Sequence, residues 1–490
     1  MEFITYERFG ARGDGITDDI DAIIAAHEYA NEHNLPVRTT ADAHYYIGGG
    51  AKTAVIMTDT DWGTSCFTID DRAVEDNQLP VFRVVSRHQP VKLNIPALRR
   101  GQKNAGIVPG IDCYVVVTER DIRRFIRRGL NQNNGTDQTD NFELKADGTI
   151  MHELLWDFPH IDETCAYPID SETLHLRGGF FITIANQDPS TYDYYGRNLS
   201  IERSNTEISD LSYFVEGEGE TGAPYRGFLS ILHCARVTVR SCFFTPHKTY
   251  WTIGAANLPV PMGSYSINIG SATDVLFKDC RQKDILDRSK WGLVGSNFCK
   301  NIELDGCIFS RMDAHQGVYN YTIRNSTLGH QGINAIGDGL LTVENCVLYG
   351  YNIVGFRADY GSIWSGDMVV KNVVWHPACG DTISPCLFGA HNDGQHNFGY
   401  ECSLPRHITL ENIHVDDSSV PEDYEGPCIF NDYHRFGELG DHAPNTSSAD
   451  PYPYLPCKKM TITNLTFASG KKWKLCENPL LTPVEELIEN

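Results

Sequence analysis

Apolar and polar residues alternate in a short phrase that recurs along the second half of the chain. The first and third residues are apolar in every copy and the fourth is polar, which is the period of a β-strand with one buried face. The fifth position is Asn, Asp, Gly or Ser, residues that tolerate the left-handed backbone of a tight turn. The sixth position is small or apolar. The copies are residues 237–242, 275–280, 302–307, 321–326, 341–346, 368–373, 408–413 and 460–465.

The copies are closely spaced. Between Cys280 and Val373 their sixth positions are 27, 19, 20 and 27 residues apart. A short, nearly constant period indicates a solenoid whose coils stack and share one core. We therefore predict an all-β fold, a right-handed single-stranded parallel β-helix with loop insertions. Four cysteines occupy the sixth position and are predicted to stack inside the core as small apolar side chains: Cys242, Cys280, Cys307 and Cys346.

The N-terminal residues predict a cap for this solenoid. Gly10, Gly13 and Gly15 permit a tight turn, and Thr17 is a candidate N-cap for a helix over residues 18–33. Such a helix would close the open end of the coils. The chain is thereby divided into an N-terminal cap (1–50), first coils with an irregular insertion and a short basic helix at 119–129 (51–160), a main parallel β-helix (161–470) and a C-terminal tail (471–490).

The stretch Phe9-Gly-Ala-Arg-Gly-Asp-Gly-Ile-Thr-Asp-Asp19 resembles the opening of the pectate-lyase-type β-helix superfamily. This superfamily includes lyases, glycosidases, epimerases and phage tailspikes. The resemblance implies the fold and leaves the chemistry open.

Charge and composition restrict the partners and the compartment. The formal net charge is −23, which makes nucleic acid an unsuitable partner. No run of 18 apolar residues is present, so no membrane span is predicted, and no signal peptide is visible at the N-terminus. The 15 cysteines include no CxxC pair and favour reduced thiols in the cytoplasm. A virion-associated fibre, with a homotrimeric assembly, is the alternative.

Aligning three coils on the repeat predicts a column of chemically active side chains. Trp291, His315 and His330 then stack on an outward face, and Gln316 stacks on Gln331. Adjacent coils of a parallel sheet are about 4.8 Å apart. Either a functional site or a polar ladder along the axis explains this pattern. No metal ligand set is predicted and no cofactor is specified, with Ca²⁺ left open. Five charged residues surround the column: Arg311, Asp313, Asp338, Arg357 and Asp359.

The segment Asp313-Ala-His-Gln-Gly-Val-Tyr-Asn-Tyr-Thr-Ile-Arg-Asn-Ser326 resembles the catalytic coil of the alginate (mannuronan) C5-epimerases, which carry Asp-Pro-His before a similar strand. The resemblance implies that His315 abstracts or donates a proton. It also implies that Asp313 contacts a uronate carboxylate or orients His315. The family's catalytic tyrosine is replaced by Ser310, and Arg357 is the nearest counterpart of its arginine.

These residue types suit several functions on a poly- or oligosaccharide. Lyase or epimerase chemistry needs a base near neutrality, such as His315, and a cation to stabilise the enolate-like charge. Glycoside hydrolysis needs two carboxylates, for which Asp313, Asp338 and Asp359 are candidates. A glycan-binding or tail-fibre β-helix without catalysis is the third hypothesis. For the enzymatic hypotheses, His315→Ala and Asp313→Ala are expected to remove turnover and leave the thermal transition almost unchanged.

Overall fold

The computed structural model describes residues 2–125, 134–254, 259–291, 294–357, 364–377, 385–390, 402–431, 454–477, 479 and 482–490. In these residues most strands join one parallel sheet of 28 strands, in which each coil pairs with the coils before and after it. Parallel connections within one sheet are almost always right-handed. The predicted right-handed parallel β-helix is therefore confirmed, with three faces in each coil.

The first face carries the recurring phrase. Its strands pair in register from coil to coil, as in Val239 with Phe277 and Ile323 with Val343. Several strands continue around a corner onto a neighbouring face. The first-face strands are Val37–Arg38, Thr60–Asp70, Leu174–Ile184, Thr206–Ser209, Ala235–Arg240, Thr273–Lys278, Val294–Asp305, Ile308–Arg324, Asp338–Leu348, Asp367–Trp375, His407–Val415, Cys457–Phe467 and Val484–Glu489.

The second and third faces complete each coil. The second face includes Asp14–Asp18, His44–Ile47, Ser212–Glu216, Phe243–Phe244, Arg281–Gln282 and Thr327–Asn334. The third face includes Ala54–Ile56, Phe82–Val85, Leu199–Glu202, Leu229–Leu232, Ile267–Gly270, Val354–Gly355, Cys386–Gly389, Cys428–Phe430 and Lys474–Cys476.

The turn position of the phrase forms an asparagine ladder. Its five asparagines have φ between 51° and 57°, the left-handed conformation that Asn tolerates. Each side-chain amide donates to the side-chain oxygen of the preceding coil at 2.8–3.2 Å. The four cysteines of the sixth position are at most 2% exposed, so their predicted place in the core is confirmed. The ladder consists of Asn325, Asn345, Asn372, Asn412 and Asn464, and its first amide donates to Asp305, which precedes the turn residue of the copy 302–307.

An α-helix, Ile20–His33, covers the first coils as predicted, and it buries Ile20, Ile23 and His27. Its N-cap residue is Asp19, so the assignment of this role to Thr17 is wrong. Thr17 belongs to strand Asp14–Asp18, and its hydroxyl donates to Asp14. A short 3₁₀ helix, Tyr6–Phe9, precedes this strand.

The irregular insertion folds as a three-stranded antiparallel sheet. Its strands are Cys113–Arg124, Thr136–Leu144 and Glu163–Pro168, and Cys113–Arg124 lies in the centre. The basic helix predicted at 119–129 is wrong for residues 119–124, which extend this central strand. The strand begins in the continuous apolar run 113–117 and continues into the basic segment. Residues 126–129 of that prediction lie outside the described residues.

Buried charges fasten the inserted sheet to the coils. Lys300 Nζ lies 2.8 Å from Asp140 Oδ1, and both side chains are fully buried. Arg236 Nε donates to Glu143 at 2.8 Å. The backbone N–H of Glu143 donates to Nδ1 of His152. Nε2 of His152 therefore carries the proton and donates to Asp274. The side chains of Glu143, His152 and Asp274 lie close enough together to hold a metal ion. The ion pair with Arg236 and the hydrogen bond between His152 and Asp274 already occupy these groups.

The coils continue nearly to the end of the chain. Strand Val484–Glu489 pairs in parallel with Cys457–Phe467, so the predicted C-terminal tail at 471–490 is wrong for that segment. Two strand pairs lie outside the main sheet: Tyr250–Ile253 with Pro259–Met262, and Cys402–Ser403 with Tyr454–Leu455. Among the described residues no helix is long and apolar enough to cross a membrane.

Candidate functional site

The register of the third face differs from the predicted column. Asp313 pairs with Gly295 in the coil before it and with Asn334 in the coil after it. His315 therefore stacks on neither Trp291 nor His330, and the column of Trp291, His315 and His330 is wrong. Gln316 pairs with Asn297 and not with Gln331.

The predicted alignment is wrong because the offset between paired residues changes from one face of the coil to the next. On the second face Ile308 pairs with Thr327, 19 residues later, whereas on the third face Arg311 pairs with Gly332, 21 residues later. The prediction placed His330 opposite His315, an offset of only 15 residues. One constant alignment of the phrase cannot reproduce these shifts.

The structure nevertheless gathers several predicted residues around Asp313. This carboxylate is fully buried, and Arg311 Nη2 lies 2.9 Å from its Oδ2. Arg357 Nη1 lies 3.0 Å from both oxygens. Tyr265, which precedes a third-face strand two coils earlier, donates its hydroxyl to Oδ2 at 3.2 Å. Two guanidinium groups and one phenol thus converge on a single carboxylate.

Charge sets the ionisation of this cluster. Burial alone raises the pKa of Asp313, but the positive charges of Arg311, Arg357 and His315 outweigh it and hold that pKa below its ordinary value. Burial, together with the charge of Asp313, raises the pKa of Tyr265 to about 12. At neutral pH the cluster therefore contains a carboxylate anion and a protonated phenol.

Arg311 is held from three sides. Its guanidinium carbon lies 4.7 Å from the ring centroid of Trp291, and Nη1 donates to Gln331 at 3.3 Å. Its Nε has no hydrogen-bond partner within the described part of the chain. Gly263 permits the position of Trp291, because a Cβ at this glycine would lie 1.9 Å from the indole nitrogen.

His315 lies in a β-bulge beside the buried carboxylate. Ala314 pairs with Ser296 and Gln316 with Asn297, so His315 is the extra residue of its strand. Bulges re-aim a side chain and are frequent beside functional sites. His315 is half-buried, as is Gln316, and its charge acts on Asp313.

The other histidine makes its hydrogen bond outside the Asp313 cluster. His330 is 4% exposed, and its Nδ1 lies 3.1 Å from the backbone carbonyl of Ile285. Burial lowers its pKa below the ordinary value for histidine. No described side chain provides a hydrogen-bond partner for its Nε2. The contacts of His330 link it to residue 285 rather than to Asp313.

Asp338 belongs to a different contact. Its Oδ2 lies 2.6 Å from Arg100 Nη2, a residue of the insertion 238 positions earlier in the chain. It pairs across the coil with Tyr319 and is 7% exposed. Asp359 lies outside the described residues. The carboxylate pair predicted for hydrolysis is thus separated into a buried ion cluster at Asp313 and an insertion contact at Asp338.

Two site residues were missed in the sequence, Tyr265 and Arg100. Tyr265 is 48 residues from Asp313 and carries no motif of its own. Arg100 comes from the insertion, whose docking position has no signature in the repeat. For both, only the packing of the coils reveals the contact.

No protein-family model and no curated protein sequence matches this chain. Several solved structures have a similar course of the backbone. They include the Pseudomonas phage phi297 tailspike gp61 (11% identity, 95% of this chain and 80% of that chain, TM-score 0.49). The Streptococcus pneumoniae surface protein and adhesin PfbA is also similar (10% identity, 100% and 98%, TM-score 0.45). A third is the A-module of the Azotobacter vinelandii mannuronan C-5 epimerase AlgE6 (11% identity, 95% and 99%, TM-score 0.35).

Proposed function

We propose that this protein is a carbohydrate-active enzyme that removes the proton next to the carboxylate of a uronate residue, as an epimerase or a lyase. The observation that carries the proposal is the convergence of Arg311 and Arg357 on the buried Asp313, beside the bulged His315.

The local charge suits an anionic sugar. Two guanidinium groups against one carboxylate leave a positive balance in a chain whose formal charge is −23. A local positive site of this kind attracts a uronate despite the repulsion of the overall field. Removal of the proton alpha to a carboxylate creates an enolate-like dianion, and fixed cations stabilise this developing charge.

The proposed roles follow from exposure and pKa. His315 is the base, because it is half-buried rather than enclosed and because imidazole titrates near neutral pH. Arg357 faces the substrate carboxylate. Asp313 is a positioning residue that aligns both arginines, since it has no exposed surface to offer a sugar. Tyr265, with a pKa of about 12, stays protonated and is suited to donating a hydrogen bond or proton.

Glycoside hydrolysis is less well supported. A catalytic acid of this class needs a raised pKa, so that it is protonated near neutrality. The pKa of Asp313 is lowered, and its two oxygens are occupied by arginines. Asp338, the second candidate, is bound to Arg100.

The test is a digest of a uronate-containing glycan panel by the native protein and His315→Ala. The matched control is His414→Ala, an exposed histidine on a later coil. We expect unsaturated, ultraviolet-absorbing products for a lyase, or uptake of solvent deuterium at C5 without cleavage for an epimerase, and neither with His315→Ala. New reducing ends without unsaturation would contradict the proposal, as would binding without turnover.

A further inference from the structure

A cavity of about 170 Å³ lies between the inserted sheet and the coils that follow His315. The insertion contributes Arg100, Arg124 and Trp156, and the coils contribute Gly317 and Asp338. A cavity of about 150 Å³ is large enough for one benzene ring, so this one has room for a single six-membered ring.

The position of the cavity connects it to the candidate site. Gly317 lies two residues after His315 on the same strand and has φ +85°, a left-handed conformation that favours glycine. A Cβ at Gly317 would come within 3.2 Å of the Phe125 ring, so glycine keeps this boundary of the cavity close to the insertion. At Gly337 a Cβ would lie 2.1 Å from the Val318 carbonyl. Gly317 thereby brings the coils close to the insertion next to His315, and Gly337 brings two successive coils close to each other.

The lining chemistry is that of a site for an anionic ring. Two arginines against one aspartate give the described lining residues a net positive charge. Arg124 lies with its guanidinium carbon 5.0 Å from the Trp156 ring centroid and donates to Gln138. Arg100 makes one side-chain hydrogen bond within the described chain, to Asp338, and guanidinium has five donors. Arg100 thus has further N–H groups for a ligand.

We propose that this cavity is a binding subsite for one uronate ring, next to the ring that reaches His315 in the same glycan. In this subsite Arg100 binds the ring's carboxylate and Trp156 packs against the sugar. The identity of the ligand rests on the proposed uronate chemistry. The location of the subsite rests on the cavity alone.

The test is calorimetric binding of uronate hexamers, of mannuronate, guluronate, galacturonate and glucuronate, and of their carboxyl-reduced counterparts. Arg100→Ala is compared with Arg99→Ala, an exposed neighbour that does not line the cavity. We expect Arg100→Ala to weaken binding of the preferred uronate hexamer about tenfold, because a charge-assisted hydrogen bond is lost. Arg100→Ala should bind the carboxyl-reduced hexamer as tightly as the native protein does. Arg99→Ala should bind every hexamer with native affinity.

Asp338→Asn gives a second measurement of opposite sign. It removes the only carboxylate among the described lining residues, so we expect uronate binding tighter than in the native protein. A purely structural Arg100–Asp338 pair would weaken binding in both variants. That result, or native affinity in Arg100→Ala, would overturn the subsite.

These outcomes separate the subsite from the proposed reaction. If Arg100→Ala weakens binding but His315→Ala keeps full turnover, the subsite stands and the role of His315 is wrong. If His315→Ala abolishes turnover but Arg100→Ala binds like the native protein, the subsite is wrong and the reaction stands. No binding of any uronate hexamer by the native protein would refute both.

Discussion

Replacing Asp313 by Asn is expected to reduce stability and activity together. The substitution preserves shape but removes the counterion that Arg311 and Arg357 share in a fully buried position. Breaking a buried ion pair from one side costs about 3–5 kcal/mol, because a desolvated charge is left uncompensated. This differs from the sequence-based expectation that Asp313→Ala leaves the thermal transition almost unchanged.

The expected shift in melting temperature follows from the size of the chain. With about 2.1 cal/mol/K per residue, cooperative unfolding of 490 residues has an entropy of about 1 kcal/mol/K. A loss of about 3–5 kcal/mol therefore lowers Tm by about 3–5 °C. Differential scanning calorimetry at pH 7 measures this shift. His315→Ala, at a half-buried position, and Asp423→Asn, at an exposed one, are the controls and should stay within about 1 °C.

The pH dependence provides a second check. Because the folded pKa of Asp313 is lowered, its contribution to stability is complete above the unfolded value of about 3.9 and disappears as pH falls through the folded pKa. The difference in Tm between the native protein and Asp313→Asn should thus be constant from pH 7 to 5 and shrink below about pH 4. Equal melting temperatures at pH 7 would refute the reasoning.

Three further substitutions test other contacts. Lys300→Met should lower the free energy of unfolding in urea by about 3–5 kcal/mol, because Asp140 is left buried without its counterion. The double variant Asp140→Leu with Lys300→Met should recover most of this loss. Equal stability of the single and double variants would contradict this expectation. Tyr265→Phe should lower kcat about tenfold through one lost hydrogen bond and leave Tm within about 1 °C, and unchanged kcat would exclude a role for the hydroxyl. Gly263→Ala should cost about 1–3 kcal/mol by displacing Trp291, and a native Tm would show that the indole has room to move.

The fold was predictable because its signals are local. Alternation over four residues, a residue that tolerates positive φ and a small sixth position all lie within one phrase, and each phrase forms a first-face strand. The cap helix at Ile20–His33 is equally local. The helix predicted for residues 119–124 was wrong because the pairing of their strand with Thr136–Leu144 and Glu163–Pro168 decides its structure. This pairing has no local signal in the sequence.

The candidate site was predictable only in part. The sequence correctly brought Arg311, Asp313 and Arg357 into one neighbourhood, since all three lie near third-face strands of nearby coils. The sequence-based alignment wrongly placed His330 on His315. The bulge at His315 and the different pairing offsets on the second and third faces change the register. Contacts across 48 and 238 residues, to Tyr265 and Arg100, depend on tertiary packing alone.

The asparagine ladder has a direction as well as a position. Every amide donates to the coil before it, so the side-chain dipoles from Asn464 back to Asn325 point the same way, and hydrogen bonds in such a chain polarise one another. The series ends on Asp305, a carboxylate whose other oxygen lies 3.4 Å from Arg324. An anion therefore stands at the accepting end of the row, where the aligned dipoles favour negative charge. Along this edge a continuous row of side-chain hydrogen bonds joins the coils and ends at the carboxylate of Asp305.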